Sequence, residues 1–100
     1  METLTVEDFA PHVGTEFTLP AGEGAEALHF TLVDATPLKI PNLPEGTRAP
    51  FQLVFREPGP TVYQQATYRL VHPEMGEQFI FIVPNSYSEA EGALYSATFN

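Results

Sequence analysis

Ala66-Thr67-Tyr68-Arg69-Leu70-Val71-His72-Pro73-Glu74-Met75-Gly76-Glu77-Gln78-Phe79-Ile80-Phe81-Ile82-Val83 is the stretch that decides the fold of this 100-residue chain. Its first half alternates Ala66, Tyr68 and Leu70 with Thr67, Arg69 and Val71. Its second half alternates Phe79, Phe81 and Val83 with Ile80 and Ile82. A period of two is the mark of a strand lying on a core. Between the halves, Pro73 suits the first corner of a type I turn and Gly76 the positive-φ position that closes it. Pairing His72 with Glu77 then sets Leu70 against Phe79, Tyr68 against Phe81 and Ala66 against Val83 on one aromatic face. A slip of one residue would invert those faces.

The same reasoning extends upstream. Phe51, Leu53 and Phe55 alternate with Gln52, Val54 and Arg56, and Glu57-Pro58-Gly59-Pro60 follows as a turn. Matching that strand to 64–72 pairs Phe51 with Leu70, Leu53 with Tyr68 and Phe55 with Ala66, which predicts a three-strand antiparallel meander over residues 50–84. Ten Pro and seven Gly punctuate the chain at short intervals, as in all-β domains. Strands are expected over 15–19, 26–35, 50–57, 64–72, 77–84 and 93–99, the last alternating Tyr95, Ala97 and Phe99 with Ser96 and Thr98. One helix is expected from Thr5, with Asp8 completing a capping box, and Pro11 limits it to one or two turns. The predicted fold is a single all-β domain: a six-stranded antiparallel β-sandwich or partly open barrel with a short N-terminal helix. Its core would hold Phe17, Leu28, Phe30, Leu32, Phe51, Leu53, Phe55, Tyr68, Leu70, Phe79, Phe81, Val83, Tyr95 and Phe99. The proline-rich segment 36–50 reads as an ordered arm, because Leu38, Ile40 and Leu43 need burial.

Composition narrows the partners. Thirteen acids against four bases give a formal charge of −9. Lys39, Arg48, Arg56 and Arg69 are scattered, which disfavours nucleic acid and anionic membrane surfaces. The chain has no Cys, so disulfides and thiolate chemistry are excluded. No apolar run approaches the roughly 20 residues of a membrane-spanning helix. The N-terminus, Met1-Glu2-Thr3-Leu4, has no basic stretch of a secretory signal. A cytoplasmic protein is the default expectation, with export as part of an assembly the other route. Most acids fall in predicted turns, which leaves 50–56 and 64–72 free of them.

Motifs for chemistry are absent. There is no G-x-S-x-G, H-E-x-x-H, Walker A loop or Rossmann glycine set. Ser86, Ser88 and Ser96 have no neighbouring His in sequence. His12, His29 and His72 are not at metal-ligand spacing, and His12 and His72 read as turn residues bonding backbone. The close acids Glu7 and Asp8, Glu23 and Glu26, Glu74 and Glu77, and Glu89 and Glu91 form no calcium loop. No cofactor is expected. Tyr63, Tyr87 and Tyr95 are candidates for a sugar platform. The face opposite the predicted aromatic one carries Val54, Arg56, Arg69, Val71, Ile80 and Ile82, too apolar for a solvated surface. Either a second layer of the same domain covers it or a protein partner does. Arg56 and Arg69 would pair there with acids such as Glu57 or Asp34.

A longer pattern runs through Phe9-x-Pro11-His12-Val13-Gly14-x-x-Phe17, Pro50-Phe51-x-Leu53-Val54-Phe55-Arg56-x-Pro58, Gln65-x-x-Tyr68-x-Leu70-x-His72-Pro73-x-x-Gly76, Phe81-x-Val83-Pro84 and Tyr95-x-Ala97-x-Phe99-Asn100. It resembles a family of small bacterial proteins of about this length, classed as a domain of unknown function. The closing Y-x-A-x-F-N is its most specific part, and Ala66 departs from the Gly expected after Gln65. The resemblance carries no catalytic residue and implies a loose association with phage-tail-collar or tail-fibre-like genes. The expected function is therefore a non-enzymatic structural or protein-interaction module, a component or accessory of a phage-tail-like or fibre assembly. It would act through self-association or a fibre or tail-like protein partner, without nucleic acid or membrane insertion. The alternative is a small-ligand or carbohydrate-binding β domain.

Overall fold

Residues 4–20, 27–38, 50–59 and 62–99 are described by a computed structural model of the chain. A helical turn, α1 (Val6–Phe9), runs into a 3₁₀ turn, Ala10–His12. Six strands follow: β1 (Glu16–Leu19), β2 (Leu28–Pro37), β3 (Phe51–Glu57), β4 (Ala66–His72), β5 (Gly76–Ser88) and β6 (Gly92–Phe99). The start of α1 follows the expected logic. The Asp8 carboxylate accepts the Thr5 backbone N–H at 2.7 Å, satisfying a donor the helix leaves free. Pro11 then tightens the chain into the 3₁₀ turn.

All six strands belong to one antiparallel sheet in the order β1-β2-β3-β6-β5-β4, closed into a barrel. The closure is narrow. β1 meets β4 through the single pair Thr18 and Val71, whereas β2 pairs with β3 from Thr31 to Pro37. The predicted meander over 50–84 is therefore corrected. β3 lies between β2 and β6, and the pairing of Phe51 with Leu70 does not occur. Alternation showed that these strands were amphipathic, but many strand orders satisfy that condition.

The β4–β5 hairpin is present with its register moved by one residue. His72 pairs with Gly76, leaving the three-residue turn Pro73-Glu74-Met75. Gly76 sits at φ +75°, the left-handed region that a side chain resists. As a consequence Leu70 faces Gln78 and Tyr68 faces Ile80. The faces of β5 are inverted relative to expectation. Ile80 and Ile82 are buried at 1% and 0% exposure, while Phe79 and Phe81 are 65% and 52% exposed. β5 also passes through Pro84, where an end was expected. A register shift between Pro84 and Ser86 absorbs the missing N–H at an irregularity. A second irregularity between Leu32 and Asp34 leaves Val33 out of step.

The barrel interior is packed with side chains. Phe17, Phe30, Leu32, Phe51, Leu53, Phe55, Leu70, Ile80, Ile82, Ala93, Tyr95 and Ala97 line it, with Phe9 fully buried beside them. Phe9, absent from the expected core, stops one end of the barrel against Phe51 and Phe99 at centroid distances of 5.8 and 5.5 Å. Phe51 and Phe99 stack at 4.6 Å. Near the other end, Gly92 (φ +84°) lies against β3, where an added Cβ would meet the Glu57 carbonyl oxygen at 2.4 Å. Most of the expected 36–50 arm lies outside the described residues. Its ends are joined by a bond from the Leu38 N–H to the Pro50 carbonyl.

Candidate functional site

Among the described residues, two surfaces are candidates for a site. The first is the outer face of the β4–β5 hairpin. Outward residues of β4 and β5 stand in ladder pairs there: Thr67 with Phe81, Arg69 with Phe79 and Val71 with Glu77. Arg69 Nε donates to the Glu77 carboxylate across the diagonal, so both charges near the phenylalanines are matched. The edge of β5 adds to this. Its ladder with β6 runs from the pair Val83 and Ser96 to the pair Ser88 and Gly92. Over 76–82 the strand pairs with β4 alone among the described residues, which leave one row of its backbone groups without a ladder partner. An open edge beside exposed aromatic side chains is a template for another strand.

The six residues expected on one interaction face do not share one. Arg69 and Val71 lie on this outer face, with Arg69 exposed and Val71 half-buried. Val54 and Arg56 are on β3, two strands away around the barrel. Ile80 and Ile82 point inward, because the one-residue change of register turned β5 over. Nor do the arginines take the acids expected of them: Arg69 has Glu77, and Asp34 instead accepts the Thr36 hydroxyl at 2.5 Å. Phe79 and Phe81 are the residues that sequence reasoning placed on the wrong side. The signal that would have found them is the length of the turn, which alternation leaves open.

The second surface is a cleft of about 310 Å³ at the narrow seam between β1 and β4. Thr15, Glu16, Thr18, His29, His72, Pro73 and Glu74 line it. His72 ends β4 and is 3% exposed. Its Nδ1 accepts the backbone N–H groups of Glu74 at 3.0 Å and Met75 at 3.3 Å. That fixes the proton of the neutral ring on Nε2, which donates to Thr15 Oγ1 at 2.9 Å. Thr15 in turn donates to the His12 carbonyl at 2.5 Å. His72 thus ties the β4–β5 turn to the start of β1, and both of its ring nitrogens are occupied by protein. Burial pushes its pKa below the ordinary value, the neighbouring His12 acts in the same direction, and Glu74 opposes them. The fold also brings the His12 and His72 rings to 4.5 Å, a proximity invisible at a separation of sixty positions. Among the described residues no three His, Cys, Asp or Glu side chains are placed to hold a metal ion. His29 lies on the rim, its Nδ1 3.3 Å from Thr18 Oγ1 and 3.7 Å from a Glu16 oxygen.

The tyrosines do not form the expected platform. Tyr95 is fully buried, edge-on to Phe30 at 5.4 Å, and its hydroxyl accepts the Tyr63 N–H at 2.9 Å. Burial raises its pKa, which the bond from Tyr63 partly offsets. Tyr87 is 45% exposed on β5. No described helix is long and apolar enough to cross a membrane.

Over residues 4–99, nearly the whole chain, the sequence matches the family model described as Domain of unknown function (DUF6916). No curated protein and no solved structure matches it.

Proposed function

Taking as premise that the chain belongs to the DUF6916 family of unknown function, we propose that it is a non-enzymatic protein-interaction module. It docks through the outer face and open edge of β5. The observation that carries this reading is the exposure of Phe79 and Phe81 side by side on a half-strand whose one edge has no paired strand among the described residues. Leaving two large aromatic side chains in water forgoes the stabilisation of burying them, on the order of 1.5–3 kcal/mol each. Such patches on soluble domains mark contact surfaces. The seam supports the same reading from the other side, since His72 is engaged as a strut with neither nitrogen free to act as a base. Arg69 and Glu77, the charges beside the patch, pair with each other on a chain of net charge −9, which favours a protein surface over a polyanion as its partner.

The narrower reading, a component or accessory of a phage-tail-like or fibre assembly, rests on the resemblance carried by the Tyr95-to-Asn100 ending and its companion motifs. Co-expression with the product of the neighbouring gene tests both. The wild-type chain should hold that protein through purification, and Phe79→Lys/Phe81→Lys should release it. A complex indifferent to both substitutions, or none at all with any neighbour, would sink this reading.

A further inference from the structure

The barrel is fastened at its narrowest point by a side chain that has no room for a charge. Among the described residues, β1 is held to β2 by four residue pairs, from Glu16 with Thr31 to Leu19 with Leu28. It is held to β4 by one, Thr18 with Val71. The side-chain bond between His72 and Thr15 spans the same seam. We propose that the β1–β4 seam is a pH-sensitive latch: neutral His72 holds it closed, and protonation of the ring releases β1 from β4 while the rest of the barrel stays paired. This device is independent of what docks on β5.

The closed seam accommodates one protonation state. Nδ1 of His72 accepts the N–H groups of Glu74 at 3.0 Å and Met75 at 3.3 Å, so its lone pair is in use. An imidazolium carries a donor on each nitrogen. The added proton would face those two N–H groups, on a residue that is 3% exposed and whose ring packs against Phe17 at 4.6 Å. Turning the ring out to water relieves that conflict. The groups around it were considered element by element. From the 3₁₀ turn, His12 sets a second imidazole 4.5 Å away, and two charged rings at that distance repel. The Glu16 carboxylate of β1 lines the same cleft but lies 3.7 Å from His29 of β2, so it serves that ring. Glu77 of β5 is taken by Arg69 of β4. Glu74, in the turn itself, favours the charged form, and burial and His12 outweigh it. Phe17 meanwhile keeps β1 in the core against Phe9 and Phe55, so release of the seam loosens one side of the strand and leaves the other in place.

Amide exchange read by NMR between about pH 8 and about pH 5 tests the latch. The amides of the β3–β6 ladder serve as internal reference, which cancels the intrinsic pH dependence of exchange. Protection of Thr18 and Val71 relative to that ladder should fall several-fold as the pH drops. His72→Asn, whose Oδ1 can accept the same turn N–H groups and does not titrate, should hold the ratio constant. His12→Gln should shrink the fall, because one opposing charge is gone. Linkage gives a second reading on the wild-type ring. The chain has no native Cys, so Thr18→Cys and Val71→Cys can be joined to each other across the seam. In that locked chain the ring resonances of His72 should titrate at a lower pH than in its reduced form. This arm retains His72, so it decides the matter even if His72→Asn does not fold. A wild-type ratio that is constant with pH overturns the proposal, as does one that falls equally in His72→Asn. So does a locked chain in which His72 titrates as it does in the reduced one.

Discussion

Seven of the eight phenylalanines divide between two regions of this molecule with opposite fates, Phe99 being half-buried. Phe9, Phe17, Phe30, Phe51 and Phe55 are wholly buried inside the barrel, where Phe17 and Phe55 meet edge to face at 5.5 Å. Phe79 and Phe81, in the most apolar run of the chain, stand in solvent on the outside of β5. The residue type is the same and so is the alternation. What separates them is one residue in the turn before β5. With His72 opposite Gly76, the odd-numbered positions of the strand face out and the isoleucines fill the barrel. Burial is therefore a property of register here more than of side-chain hydrophobicity.

The comparison breaks most visibly at the inner region. Phe55→Ala should cost about 3–5 kcal/mol, the combined loss of burial and the cavity left among Phe17, Phe30 and their neighbours. Urea unfolding followed by circular dichroism measures it. A cost below about 1 kcal/mol would mean that this cluster is not the rigid core described.

How far the sequence could show this division depends on which contacts are local. The strand at 51–57 was legible because its alternation shows which residues share a face, and Phe51, Leu53 and Phe55 are indeed all inside. The helix start at Thr5 was legible because its cap is a bond over three residues. The order of the strands was not, since β3 and β6 are joined by contacts some forty positions apart that leave no local trace. The outer patch was misplaced for a different reason. A turn of Pro73-Glu74-Met75 and one of Pro73-Glu74-Met75-Gly76 satisfy the same residue preferences, yet they expose opposite faces. The seam cleft combines Thr15 with His72, and no spacing rule joins residues so distant in the chain.

His72 fastens the turn that makes this choice. His72→Leu removes the acceptor of two backbone N–H groups and the donor to Thr15, and should cost about 1–3 kcal/mol in the same unfolding assay. The wild-type ring also predicts a pH dependence. Because its folded pKa lies below the ordinary 6.5, the unfolded chain binds the proton more readily than the folded one. Stability is then fully present above about pH 6.5, declines as pH falls toward the lowered folded value and levels beneath it. Subtracting the His72→Leu profile from the wild-type profile isolates this slope. An equal slope in both would assign it to other groups.

Gly76 sets the register directly. Gly76→Ala keeps open space around the new methyl group but imposes φ +75° on a residue with a Cβ, at about 1–2 kcal/mol. The sharper readout is the fate of the two phenylalanines. If the substitution shifts the hairpin by one residue, Phe79 and Phe81 rotate inward and Ile80 and Ile82 outward. Amide exchange and side-chain NMR contacts to Leu70 would report that change. If the strain is instead absorbed in place, the contacts of Ile80 persist and only the unfolding midpoint falls.

The smallest effect on stability belongs to the outer region and is the more discriminating for it. Phe79→Ser and Phe81→Ser remove aromatic rings that are largely in water, so each should change the unfolding free energy of the isolated chain by no more than about 0.5 kcal/mol. The same substitutions should weaken association in proportion to the aromatic contact they delete. A stability probe and a binding probe therefore separate the two regions cleanly: substitution at Phe55 moves the first, and substitution at Phe79 or Phe81 moves the second. If Phe79→Ser unfolded the chain as Phe55→Ala does, the ring would be a core residue after all, and the open face of β5 would lose its meaning as a contact surface.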